Sequence, residues 1–207
     1  MRWWFVALAF VSFAQADEVI QCGEVQFVIR NSTLYRSDGA ANLATCNWVL
    51  DLSGKQLTTL SDGVFSGLTA LLALYLNNNQ LATGTFDGLV SLQSLYLNNN
   101  KLTTFTLSGL TSLQALYLNN NSLSTLPIFS GSSLYDLNLS NNQLTTLPNG
   151  VFSGLSRLWF LYMSNNLLTT LPSGIFSDLT NLLMLDLSNN GEQTRATGLP
   201  FMTKVIY

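Results

Sequence analysis

The feature that most constrains this chain is a leucine pattern that returns every 21 or 24 residues over most of its length. Leu71-x-x-Leu74-x-Leu76-x-x-Asn79-x-Leu81 recurs from Leu92 to Leu102, from Leu113 to Leu123 and from Leu134 to Leu144. It returns from Leu158 to Leu168, where Met163 replaces one leucine. A degraded copy runs from Leu182 to Asn190, and a divergent first copy has Leu50, Leu52 and Leu57, with Lys55 at the asparagine position. That position falls at 55, 79, 100, 121, 142, 166 and 190, so the steps are 24, 21, 21, 21, 24 and 24 residues. Self-similarity at such a period is the mark of a solenoid.

The residue types say how one unit folds. Leucines at alternate positions make a short strand with one buried face. About six buried apolar groups per copy contribute ~10–15 kcal/mol. Ordering the same residues costs as much or more, at ~1–2 kcal/mol each for the backbone alone. A single copy therefore cannot fold by itself, and stacked copies can. The strands then lie parallel, with each asparagine at the turn that leaves its strand, where its amide can satisfy backbone groups. Asn79, Asn100, Asn121, Asn142, Asn166 and Asn190 are read as structural. The long and short steps differ after this point: Phe65, Phe152 and Phe176 follow their markers by ten residues, Phe86 and Leu107 by seven. The length change thus falls on the outer, convex connection.

Leu147-Pro-Asn-Gly-Val-Phe152 and Leu171-Pro-Ser-Gly-Ile-Phe176 add a second signature to the leucine frame. Together they resemble the extracellular 24-residue type of the leucine-rich repeat family, similar in kind to the ectodomains of Toll-like receptors, Slit ligands and variable lymphocyte receptors. The resemblance runs from residue 47 to about residue 200. It implies an α/β-type repeat solenoid, the leucine-rich repeat horseshoe, with a parallel β-sheet on the concave face and a mostly irregular or short-helical convex side. It also implies binding on the concave surface, most often of proteins. The chain departs from the extracellular relatives in carrying two cysteines before the repeats rather than four.

Residues 1–16 read as a secretory signal: Met1-Arg2, an apolar stretch from Trp3 to Phe13, then Ala14-Gln15-Ala16 before Asp17. The apolar stretch is too short to span a bilayer, which takes about 20 residues. No later segment is apolar enough either, so no membrane span is expected. Residues 17–46 are expected to form an N-terminal cap, residues 47–190 about seven repeats, and residues 191–207 a degenerate C-terminal cap or a truncation point. Glu24 to Arg30 suits a cap strand, and Phe201, Val205 and Ile206 suit a lid over the last repeat. In an oxidising compartment Cys22 and Cys46 suggest one disulfide, worth about 3 kcal/mol on chain entropy. Two buried free thiols are the alternative.

Composition excludes several functions. Charged residues are 9% of the chain and the net charge is −3, with no basic run, so nucleic acid is not an expected partner. With no histidine, histidine-based triads and metal sites are ruled out. Asp136 and Asp186 lie two repeats apart, near the limit for paired glycosidic carboxylates, but no cleft motif accompanies them. No enzyme and no cofactor is expected.

What remains is binding. The position between the buried leucines of each strand holds Asp51, Tyr75, Tyr96, Tyr117, Asn138, Tyr162 and Asp186. Tyrosine combines a large rigid surface with a polar tip; duplication and stacking within the sheet explain the repetitive ones equally well. Arg157, Trp159, Phe160 and Tyr162 break the repeat and form an aromatic and cationic cluster of hot-spot composition. The expected concave site is therefore Tyr75, Tyr96, Tyr117, Asp136, Arg157, Trp159, Phe160, Tyr162 and Asp186, for a protein ligand or else a carbohydrate. Asn31, Asn120 and Asn138 head N-glycosylation sequons, and glycans on the last two would cover the tyrosines. The competing class is structural. Thr58-Thr59, Thr103-Thr104, Ser124-Thr125, Thr145-Thr146 and Thr169-Thr170 make a hydroxyl ladder suited to a regular lattice such as a cell wall, a like molecule or ice.

Overall fold

The computed structural model describes residues 17–37, 42–107, 109–129, 133–192, 194, 196–201 and 203–207. The signal-peptide reading falls on residues 1–16, outside the described residues. An N-terminal sheet joins β1 (Glu18–Cys22), β2 (Val25–Arg30) and β3 (Thr33–Arg36) as antiparallel neighbours. The repeats supply β4 (Val49–Asp51), β5 (Thr59–Leu60), β6 (Ala73–Tyr75), β7 (Ser94–Tyr96), β8 (Ala115–Tyr117), β9 (Asp136–Asn138), β10 (Phe160–Tyr162) and β11 (Met184–Asp186). A last strand, β12 (Lys204–Ile206), follows. β5 extends the cap sheet by pairing parallel to β3. The others form one parallel sheet in the order β12-β11-β10-β9-β8-β7-β6-β4.

Each strand is three residues long because the leucine frame turns the chain away on either side. The middle residue, from Leu50 through Leu74, Leu95, Leu116, Leu137, Leu161 and Leu185, points into the core and is at most 1% exposed. Register carries the frame across the sheet: Leu74 lies opposite Leu95, and Tyr75 opposite Tyr96. At the convex side the phenylalanines close the core, with Phe65 and Phe86 6.3 Å apart and Phe152 and Phe176 6.0 Å apart.

The marker asparagines join each repeat to the one before it. Asn100 Oδ1 accepts from the Leu81 N–H at 3.0 Å, while its Nδ2 donates to the carbonyls of Leu76 and Leu97 at 2.9 and 3.1 Å. Asn79, Asn121, Asn142, Asn166 and Asn190 repeat this wiring. The residue before each marker, from Asn78 to Asn189, has φ between 55° and 59°, a left-handed conformation that asparagine accepts more readily than most residues.

Several expectations need correcting. The α/β label fails on its helical part: the helical structure among the described residues is one 3-10 turn, Leu43–Thr45, and the convex connections are turns and irregular chain. Leu107 is only partly buried, and Phe105 supplies the ring that meets Phe129 at 6.5 Å. Phe201 is fully exposed, so it is no lid. Val205 packs against the core instead, because Lys204–Ile206 continues the sheet in register with Met184–Asp186. The cap strand expected at Glu24–Arg30 forms as β2, and Cys22 and Cys46 are joined in a disulfide.

Candidate functional site

Two surfaces emerge from this frame. The first is the concave sheet, where the outer residues of each strand form two columns. One column runs Asp51, Tyr75, Tyr96, Tyr117, Asn138, Tyr162, Asp186. Its neighbour runs Val49, Ala73, Ser94, Ala115, Asp136, Phe160, Met184. Small residues beside Tyr75, Tyr96 and Tyr117 leave room for the rings to stack. Tyr75 and Tyr96 are 4.3 Å apart and 6° from parallel, Tyr96 and Tyr117 4.8 Å and 12°. Stacked rings present edges and hydroxyls rather than faces, so these tyrosines are at once scaffold and surface.

The repeat breaks at Asp136, which stands where β6, β7 and β8 carry alanine or serine. The Tyr117 hydroxyl donates to Asp136 Oδ2 at 2.8 Å, and Oδ1 is buried without a hydrogen-bond partner among the described residues. Burial raises the Asp136 carboxyl above the ordinary carboxylate value, and the Tyr117 hydroxyl offsets part of the rise. Burial, and then the bond to Asp136, push the Tyr117 phenol well up. A carboxyl whose folded pKa is raised adds stability below its unfolded value and loses it as pH rises through the folded value. Asp136→Asn should therefore stabilise the protein at pH 7, with the gain disappearing by about pH 3. Thermal unfolding of both proteins at the two pH values checks this; an equal gain at both would show that ionisation is not its cause.

Beyond Asp136 the concave face diversifies. The Phe160 and Tyr162 rings lie 6.5 Å apart, and Asp186 accepts from the Ser188 N–H and hydroxyl. The structure divides the expected cluster of Arg157, Trp159, Phe160 and Tyr162. Phe160 and Tyr162 are the outer residues of β10, whereas Arg157 and Trp159 lie before the strand, on the flank where the chain arrives.

That flank carries the second surface, an open groove of about 690 Å³ lined by Gln93, Gln114, Tyr135, Arg157, Trp159 and Asn181, with smaller residues between. Trp159 is 48% exposed and its ring lies 6.0 Å from that of Tyr135. Gln93, Gln114 and Tyr135 were not foreseen; they occupy the position of Trp159 in the preceding repeats, and comparing that column across the copies would have found them. The paired threonines and serines sit exposed past the strands, from Thr58 to Thr170.

Two sequons touch this architecture closely. Asn120 Nδ2, the atom a glycan would be attached to, donates to Asn99 Oδ1 at 2.7 Å, and Asn138 lies on the concave face itself. Asn31 stands exposed in the β2–β3 turn. No cluster of three metal-binding side chains exists among the described residues, and none of their helices is long and apolar enough to cross a membrane.

A parallel-strand solenoid with leucines inside and an asparagine at every turn defines a class, and the comparisons agree. The leucine rich repeat family matches residues 80–123 and 128–168. A solved structure of a leucine-rich repeat protein from Leptospira interrogans is 30% identical with a TM-score of 0.61, over 77% of this chain and 48% of that one. The chain thus spans about half the length of that structure. A search of curated proteins gave no match. The chain is a leucine-rich repeat protein.

Proposed function

We propose that this protein is a secreted, non-enzymatic binding module that recognises a protein ligand through its concave sheet. Leucine-rich repeats commonly mediate protein binding. The observation that carries the reading here is the change along one face. A rigid stack of Tyr75, Tyr96 and Tyr117 leads into Asp136, Phe160, Tyr162 and Asp186, which no longer follow the repeat. Amphipathic aromatic side chains on a rigid element suit recognition. The Cys22–Cys46 disulfide supports an oxidising compartment, in keeping with the signal-like residues 1–16. The three sequons would then meet the glycosylation machinery.

Protein taken from its own host should begin at Asp17, as mass spectrometry of the intact chain will show; retention of residues 1–16 would contradict secretion by this route. Cross-linking in the native medium should capture a protein partner. Changing Tyr96 and Phe160 to alanine together should weaken that capture about tenfold or more, and changing Thr103 and Thr145 should leave it intact. The reverse result would favour lattice packing through the hydroxyl ladder.

A further inference from the structure

The groove on the entry flank adjoins the concave face and has a chemistry of its own. Its aromatic end is the Tyr135–Trp159 pair, with rings 6.0 Å apart and inclined at 46°. Gln114 and Gln93 continue the same column one repeat at a time, and Asn181 and Arg157 stand beside it. The Asn181 amide is partly engaged, donating to the Ser156 carbonyl at 2.7 Å. The side chains of Gln93, Gln114, Tyr135, Arg157 and Trp159 make no hydrogen bond among the described residues. On the same sheet, by contrast, every marker asparagine is bonded within the fold.

We propose that this groove binds a neutral oligosaccharide laid across the repeats, with Trp159 and Tyr135 as the stacking platform and Gln114 and Gln93 reading hydroxyls.

Charge narrows the ligand first. Arg157 is the one charged side chain lining the groove among the described residues, too few for a polyanion held by clustered cations and the wrong sign for a polycation. A peptide is the obvious competitor, since it too is a chain of polar groups. A peptide added as a further strand needs an open main-chain edge, and here that edge is closed. The Gln93 N–H donates to Leu72, Gln114 to Gln93, Tyr135 to Gln114 and Trp159 to Tyr135, all at 2.8–2.9 Å. Only side chains face the groove, and they are of two kinds. Exposed rings offer a flat apolar face with a polar tip, which suits the C–H face of a pyranose. Glutamine amides both donate and accept, which suits paired hydroxyls. Parallel strands repeat every ~4.8 Å, close to the rise of one sugar unit along an extended chain, so successive units would meet successive side chains.

Calorimetric titration of the full chain with cellohexaose, chitohexaose, xylohexaose and maltohexaose tests this. At least one should bind saturably, with Kd on the order of 10–1000 μM, and should shift the Trp159 indole N–H resonance. Trp159→Ala should weaken that binding about tenfold or more, and Gln114→Ala should weaken it measurably. Both side chains lie outside the core, and circular dichroism verifies that the variants stay folded. Tyr96→Ala, on the concave face, should leave saccharide binding unchanged, which separates this site from the protein-binding reading. The proposal is overturned if none of the four sugars binds, or if binding survives Trp159→Ala. It is equally overturned if an uncharged Gly-Ser decapeptide binds through the same residues while the sugars do not.

Discussion

Asn142→Leu should lower stability by about 2–6 kcal/mol, as much as a core truncation. Leucine has the same branched outline and is more apolar, so a view of the interior as packed oil would expect little harm. The bonds say otherwise. Asn142 Oδ1 accepts from the Leu123 N–H at 3.0 Å, and Nδ2 donates to the carbonyls of Leu118 and Leu139, also at 3.0 Å. Leucine would leave the buried Leu123 N–H without its partner, at about 1–3 kcal/mol. It would also remove one of the two bonds at each carbonyl, where Leu118 keeps Asn121 and Leu139 keeps Asn166, at about 0.5–1.5 kcal/mol apiece. Leu118 and Leu123 belong to the preceding repeat, so the damage falls on the joint between units. Urea denaturation measures the loss, and hydrogen exchange at the Leu123 amide locates it. A change below about 1 kcal/mol would mean that the asparagines do not hold the repeats together.

Phe152→Ala should cost about 3–5 kcal/mol by a different route, a cavity. Its side chain is fully buried, and its ring meets Phe129 at 6.2 Å and Phe176 at 6.0 Å. Both neighbours come from adjacent turns of the solenoid, so the void opens between repeats. Because each repeat contacts chiefly its neighbours, unfolding of the variant should become less cooperative, with a shallower denaturation curve as well as an earlier midpoint. Phe160→Ala, outside the core, is the control and should shift the midpoint far less. Similar losses for the two would show that the convex rings do not act as a common core.

The contrast between Asn142 and Phe160 also shows what the sequence made legible. Leucines at fixed offsets and an asparagine at each turn are dictated by backbone geometry and burial, so strands, sheet and inter-repeat joints followed from spacing alone. The two cysteines were open to more than one reading, and the structure closes them as a disulfide. Spacing failed where the chain is long enough to choose. After Asn100 the convex connection can bring either Phe105 or Leu107 to the core, and the ring takes the place because it reaches Phe129. Near the end, Phe201, Val205 and Ile206 were all apolar enough for a lid, but sheet register left that work to Val205 alone. The site was legible only in part. A list of aromatic residues cannot tell the concave face from the flank, and Trp159 and Phe160, adjacent in the chain, serve different surfaces. Gln93, Gln114 and Tyr135 were hidden because glutamine carries no signal until its column is assembled in space.

The two ring series measure the bend of the solenoid. One repeat advances 4.3–4.8 Å between the stacked tyrosines but 6.0–6.3 Å between the stacked phenylalanines on the other side of the core. Each unit is therefore a wedge, thin at the tyrosines, and the wedge angle sets a radius. To straighten the arc, a partner would have to draw the tyrosines out of contact, at about 0.5–1.5 kcal/mol for each ring pair, while squeezing phenylalanines that have nowhere to go. On the proposed reading, a partner that docks in the concavity without straightening the arc needs a convex surface of matching curvature.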